Sequence, residues 1–158
     1  MASDSEPIRT PGFLVRRMQQ VSISVFHEYL RSLGITPVQL TILRILERED
    51  GLDQLSIASR AMLDTSTVKD VLARLAARNI VTRRRSEQDA RMRLTYLTDH
   101  GRDVIEQAAP LALQASQELL APLTKKERAQ LLEMMDRVVS AREADDDRRA
   151  PWRRLKTP

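Results

Sequence analysis

The 158-residue sequence contains no cysteine. Disulfides, thiolate metal sites, cysteine nucleophiles and thiol redox chemistry are thereby excluded together. Its two histidines, His27 and His100, stand too far apart in sequence to form a metal-ligand pattern. Aromatic residues make up only 3% of the chain, which leaves any core to Leu, Ile, Val, Ala and Met. No apolar run approaches a membrane span, and the opening MASDSEPIRTPG has no signal-peptide core, so a soluble cytoplasmic protein is expected. No nucleophile–base pair, metal set or phosphate-binding loop is visible, so neither enzymatic activity nor a cofactor is expected.

What is present fits one domain, or one domain with a dimerising extension: 42% hydrophobic and 30% charged residues. The formal charge of +4 is moderate, and its clustering carries more information than its sum. The densest signal runs from Asp64 to Arg93. Asp64, Thr65, Ser66 and Thr67 are short polar side chains of the kind that cap free N–H groups at a helix start. Val68, Val71, Leu72 and Leu75 then recur at the spacing of one buried helical face, leaving Ser66, Thr67, Lys69, Asp70 and Arg74 largely on the others. After Asn79, a residue that tolerates the left-handed conformation ending helices, two extended runs, 80–84 and 93–97, flank a polar loop as in a hairpin. Arg78, Arg83, Arg84, Arg85, Arg91 and Arg93 crowd this segment against only Glu87 and Asp89. A polar-faced helix followed by an arginine-tipped ribbon is how a winged helix-turn-helix meets DNA, helix in the major groove and wing along the backbone or in the minor groove. The candidate DNA-binding residues are therefore Ser66, Thr67, Lys69, Asp70 and Arg74 on the helix and Arg83, Arg84, Arg85, Asp89, Arg91 and Arg93 on the wing. Strand alternation turns part of the Arg83–Arg85 run away from the duplex. Asp70 repels phosphate but can accept from a cytosine amino group.

Around this segment the chain reads as helices. Residues 1–10 form a flexible polar arm. A helix over about 11–32 carries Leu14, Val15, Met18, Val21, Ile23, Val25, Phe26, Tyr29 and Leu30, far wider than the roughly 100° apolar arc of a surface helix. It must pack against more than one neighbour, of which a second subunit is one candidate. Arg16, Gln20, His27 and Arg31 share its remaining face, with Ser24 beside them. Thr36-Pro37-Val38-Gln39 then combines a cap, a first-turn proline and a glutamine three residues after the cap, opening a helix over 37–48. Asp50-Gly51 breaks it, and a short helix over 54–61, with Ala58 at a tight crossing, completes the helix-turn-helix. Thr98-Asp99-His100-Gly101 opens a helix to about 120 that Pro110 should kink or break. Leu123-Thr124-Lys125-Lys126-Glu127 is a second capping box, opening a helix over 125–143. The fold class is mainly α with a small β-hairpin wing (α+β). A winged helix-turn-helix, 36–98, is joined by dimerisation helices from both chain ends, 11–35 and 99–143, and a disordered basic tail, 144–158.

The order of elements and the residues themselves resemble the MarR family of transcriptional regulators over roughly 14–139. The most specific stretch is Asp89-Ala90-Arg91-Met92-Arg93-Leu94-Thr95-Tyr96-Leu97-Thr98-Asp99-His100-Gly101, similar to the family's wing signature and following helix start. Gly34-Ile35-Thr36-Pro37-Val38-Gln39, Ser66-Thr67-Val68 and Leu123-Thr124 with Glu127-Arg128 match further family positions. Two departures stand out. Met62 occupies a turn where the family often has Gly, so that turn is expected to differ, and Lys69-Asp70 replaces a commonly basic or Thr/Arg pair, so no half-site preference carries over. The resemblance implies that Asp89 braces the wing and that Arg91 enters the minor groove.

It also implies a homodimer on a pseudo-palindromic double-stranded operator, its recognition helices about 34 Å apart. Family members commonly bind small aromatic or phenolic acids between the dimerising helices and the winged domain. On that basis Arg16, Arg17, Gln20, Ser24, His27 and Arg31 are the candidate effector-binding residues, because a buried carboxylate needs a cationic partner. The other account of His27 is a helix-face histidine hydrogen-bonded within the fold. Lack of cysteine excludes the family's thiol-oxidation mode, and two isolated histidines argue against metal sensing. A ligand-relieved repressor answering to a small organic acid, such as a nicotinate-type catabolic intermediate, is the expected function. The competing expectation is a winged-helix module that dimerises or binds a protein without specific DNA.

Overall fold

The computed structural model describes residues 9–149 apart from positions 88 and 90, with side chains as far as position 141. Residues 1–8 of the expected arm and the last part of the tail, residues 150–158, lie outside the described residues. The chain divides into two compact units, Met1–Leu119 and Leu120–Pro158.

In the first unit, helix α1 (Pro11–Leu30) opens on a proline at its first position, where a missing N–H costs nothing. It tightens into one 3₁₀ turn, Arg31–Leu33, which Gly34 closes in the left-handed conformation at φ 60°. Helix α2 (Pro37–Arg48) starts on a complete capping box. The Gln39 N–H donates to Thr36 Oγ1, and the Thr36 N–H donates to Gln39 Oε1. Strand β1 (Leu52–Asp53), helix α3 (Gln54–Ala61), helix α4 (Thr65–Ala77), strands β2 (Val81–Arg85) and β3 (Arg93–Leu97) and helix α5 (Asp99–Leu119) follow. The strands form an antiparallel sheet in the order β1-β3-β2. The ribbon expected from sequence therefore gains a third strand, the two-residue β1, which pairs Leu52 with Thr95 and Asp53 with Leu94.

The core lies where α2, α3, α4 and the base of the sheet converge. Leu30, Ile42, Leu43, Leu46, Ile57, Val68, Leu72, Leu75 and Ile80 are wholly buried there, and Val104, Ile105 and Ala108 bring α5 into it. The broad apolar arc of α1 is used only in part. Leu30 is buried and Phe26 packs against the core, whereas Leu14, Val15, Val21 and Ile23 remain exposed. Tyr29 donates its hydroxyl to Glu118 across to α5 at 2.5 Å.

Pro110 does not end α5, which continues to Leu119. Ala108 and Ala115 are fully buried on either side of it, so packing holds both halves of the helix while one backbone hydrogen bond is lost.

In the second unit, helix α6 (Lys125–Arg149) begins on the expected capping box. Thr124 N–H donates to Glu127 Oε2, and Glu127 N–H donates to Thr124 Oγ1. The helix runs past the expected end at residue 143, through a charge run the sequence analysis assigns to the tail. No glycine or proline falls between Leu123 and Ala150 to stop it. Leu132, Met134, Met135, Val138 and Val139 on α6 are exposed. Among the described residues, no helix is long and apolar enough to cross a membrane.

One corner holds the first unit together. The Thr98 N–H donates to the Ile80 carbonyl, and the Thr98 hydroxyl lies 2.7 Å from the Asn79 carbonyl oxygen and 3.0 Å from that of Ile80. The Thr98 hydroxyl oxygen in turn accepts the Gly101 N–H. A Cβ on Gly101 would fall 2.2 Å from the Ile80 oxygen, so no side chain fits without moving backbone. Gly101→Ala is expected to destabilise the fold by about 3 kcal/mol, read as a lower urea midpoint at unchanged slope.

Candidate nucleic-acid interface

The helix-turn-helix is set by local chemistry. Asp53 caps α3 by accepting the N–H groups of Leu55 and Ser56, and Gln54 donates to the Thr65 carbonyl, pinning the start of α3 against the start of α4. The turn between them keeps a left-handed residue despite the methionine: Met62 has φ 52° and is 72% exposed. The N–H of Leu63 closes it onto the Ala58 carbonyl, and Ala58, buried at the crossing, is small enough to let the helices approach.

Asp64 heads α4. Its carboxylate accepts the Ser66 hydroxyl at 2.5 Å, the Thr67 hydroxyl at 2.6 Å and the Thr67 N–H at 2.7 Å. These bonds, the Ser66 hydroxyl first, hold the Asp64 carboxyl well below the usual carboxylate range. Both hydroxyl protons are thus turned inward, and the oxygen lone pairs are left for donors from outside. Val68, Val71, Leu72 and Leu75 are buried, and Ser66, Lys69, Asp70 and Arg74 are exposed on the far side with Thr67 half-buried at its edge. The structure brings together the helix residues singled out from sequence.

The wing separates its arginines by face. Register pairs Arg83 with Thr95, Arg84 with Leu94 and Arg85 with Arg93. Arg83 and Arg85 therefore share the face of Val81 and Thr95, while Arg84 points the other way and lies 5.6 Å over the Tyr96 ring. Arg83 is half-buried, and its Nε is enclosed beside the equally enclosed Thr95 Oγ1, neither with a hydrogen-bond partner among the described residues. At the tip Asp89 acts through the backbone. Its carboxylate accepts the Arg91 N–H at 2.9 Å and its carbonyl accepts the Met92 N–H. The ion pairs among the described residues are Arg60–Glu49 and Arg102–Asp50. Arg83, Arg85, Arg91 and Arg93 thus have no carboxylate partner there.

The candidate effector residues are not gathered into a site. Arg16, Arg17, Gln20, Ser24 and His27 on α1 and Arg31 in the 3₁₀ turn after it are all exposed, and His27 makes no hydrogen bond among the described residues, against the expectation of a partner within the fold. The cavity in this unit, about 530 Å³, lies between α1, α2 and α5 and is lined by none of them. Its walls are Ser22, Phe26, Pro37, Leu40, Thr41, Arg44, Ala109, Ala112, Leu113 and Ser116. The reason is helical phase: at 100° per residue, Ser22 and Phe26 face away from Gln20, Ser24 and His27. Arg44 is the one cation in the lining; within α2 the sequence signals are its capping box and its core stripe, and neither marks a residue of the polar side. Arg44 makes no ion pair among the described residues. The Thr41 and Ser116 hydroxyls donate to the carbonyls of Pro37 and Ala112, which leaves acceptor lone pairs.

A family model described as the MarR family matches residues 35–92. The PcaV transcriptional regulator from Streptomyces coelicolor is 34% identical, with 86% of this chain and 99% of that one covered at a TM-score of 0.74. BpsR of Bordetella bronchiseptica, solved in a study of how 6-hydroxynicotinic acid regulates its DNA binding, is 26% identical over 81% of this chain and 97% of its own, TM-score 0.76. A cysteine-to-serine mutant of MarR from E. coli, complexed with operator DNA, is 27% identical over 80% and 91%, TM-score 0.76.

A carboxyl whose folded pKa is depressed stabilises the fold above its unfolded pKa, and that contribution is lost as pH falls through the folded value. The Asp64 cap should therefore outlast ordinary carboxylates in acid. At pH 4, near the midpoint of a free aspartate at about 3.9, the Thr67 amide is expected to keep its neutral-pH chemical shift. An amide titration centred on the free value would show that the cap is weak.

Proposed function

The chain belongs to the MarR family of transcriptional regulators, and from that membership we propose that it is a homodimeric repressor of a pseudo-palindromic operator, relieved by a small aromatic or heteroaromatic acid. The observation that carries the DNA half is Arg85 set directly opposite Arg93 at the end of the ribbon, with no carboxylate partner for either among the described residues. Like charges across a strand pair oppose folding of the ribbon, and a polyanion turns the same pair into an asset. Arg83, Arg91 and the exposed row Ser66, Lys69, Asp70 and Arg74 extend that surface. Arg84, exposed over the Tyr96 ring, lies on the opposite face of the ribbon. The exposed aliphatic side chains of α1, and separately those of α6, support pairing of two chains. The protein acts in the cytoplasm, on DNA, without catalysing a reaction.

The effector half rests on Arg44. An aromatic acid fits the cavity between α1, α2 and α5 with its carboxylate on that guanidinium and its ring against Phe26, Leu40 and Leu113. A ring hydroxyl or N–H would donate to Thr41 or Ser116. That BpsR is regulated by 6-hydroxynicotinic acid, and that PcaV is solved in complex with its natural ligand, supports a small organic acid. A ligand preferring one arrangement of the winged domains by ~100-fold weakens operator binding by at most that factor, about 2.7 kcal/mol.

Neutralising about six phosphates predicts a log–log salt slope of roughly −5 for the operator, and Arg91→Ala is expected to weaken binding about 10-fold. Fluorescence anisotropy on the upstream DNA measures both, and a salt-insensitive interaction would sink the DNA reading. With 6-hydroxynicotinate and 4-hydroxybenzoate as probes, Arg44→Met should bind the operator like the parent while losing the response to acid at least ~10-fold. If neither acid shifts the parent's operator affinity, the effector half of the proposal fails and the DNA half stands.

A further inference from the structure

Arg78 is the residue that follows α4. Its guanidinium does not join the arginine face of the wing. Nη1 donates to the Gly34 carbonyl and Nη2 to the Leu33 carbonyl, the second at 2.9 Å. Those carbonyls end the 3₁₀ turn that joins α1 to α2, 44 residues earlier in the chain. Gly34, left-handed at φ 60°, has the two Arg78 nitrogens at 3.5 and 3.6 Å from the place of a Cβ, so the guanidinium is seated squarely on the turn. Arg78 is exposed and has no carboxylate partner among the described residues. Two parallel donors on two successive carbonyls, at a helix C-terminus where a cation is favoured, form a directed clamp that a lysine cannot reproduce.

The next two residues hold the other long helix of this unit. The Asn79 and Ile80 carbonyls receive Thr98 at the head of α5, and Gly101 abuts the Ile80 oxygen. The end of α4 is thus tied to the end of α1 by the Arg78 side chain and to the start of α5 by the Thr98 amide and hydroxyl. From this we infer that Arg78 is a positioning residue for DNA recognition: it transmits the orientation of α1, and hence of the paired subunit, to the recognition helix α4, and so fixes the half-site spacing the dimer accepts. The inference rests on the DNA-binding reading above.

The test compares full-length parent, Arg78→Ala and Arg78→Lys on three duplexes: the operator, and the operator with one base pair added or removed between half-sites. One base pair rotates the half-sites by about 34° and shifts them by about 3.4 Å. The parent is expected to lose at least ~10-fold on either altered duplex. Arg78→Ala should bind the true operator about 5–10-fold more weakly, as expected for two lost hydrogen bonds. It should discriminate the altered duplexes by less than ~3-fold with the salt slope unchanged, and Arg78→Lys should fall between. If both variants lose affinity equally on all three duplexes and the slope falls by about one, Arg78 is a phosphate contact and the inference is overturned. It is overturned equally if Arg78→Ala keeps the parent's spacing preference. Should Arg78→Ala melt below the assay temperature, Arg78→Lys alone decides, because loss of spacing preference by a folded variant is not a stability effect. A parent with no preference for its own upstream DNA would bring down the DNA reading and this inference together.

Discussion

Everything in the first unit depends on a backbone contact that leaves no room for a side chain. The carbonyls of Asn79 and Ile80 are where the recognition helix ends, the wing begins and α5 attaches. A methyl group at Gly101 would fall 2.2 Å from the Ile80 oxygen. Gly101 lies against the Ile80 carbonyl with no side chain between, and the Thr98 amide and hydroxyl bond to the same pair of carbonyls, so the start of α5 tolerates little displacement against the wing. Arg78 adds the α1–α2 turn to the same corner from the opposite side. Helix α1, proposed to pair two chains, and the elements proposed to touch DNA therefore share a joint three residues long.

The charge distribution works against the isolated fold and for its proposed partner. Arg85 and Arg93 face each other across the ribbon, and the wing arginines lack carboxylate partners among the described residues. The repulsion is small in water, at most about 1 kcal/mol for a pair at contact distance, and the buried aliphatic core absorbs it. Asp64 organises the other half of the surface. By accepting both hydroxyl protons of Ser66 and Thr67, it fixes those side chains before any partner arrives, which reduces the ordering cost of binding.

Helical phase decides which side chains of α1 line the cavity in this unit. The sequence pattern sets a row of cations and polar groups, Arg16 to Arg31, on the less apolar face of α1 and the turn after it. In this unit those side chains are exposed. The enclosed side carries Ser22 and Phe26, and the cation that faces them comes from α2. Arg44 sits in a segment whose local signals, cap and core stripe, were already accounted for, so nothing within the helix marked it.

Sequence alone determined the elements whose causes lie within about four residues: the caps at Thr36, Asp64 and Thr124, the buried stripe Val68-Val71-Leu72-Leu75, the left-handed Asn79, and the hairpin with its arginines. Hydrogen bonds across one helical turn and side-chain alternation along a strand follow from spacing, so they could be read directly. Tertiary structure alone decided the rest. It paired the two-residue β1 with β3, carried α5 through Pro110, sent Arg78 to the α1–α2 turn and left Arg84 on Tyr96 while Arg85 met Arg93. Each of these joins residues brought near only by the return of the chain or by a particular register, and energies of that kind have no periodicity along the sequence from which they could be inferred.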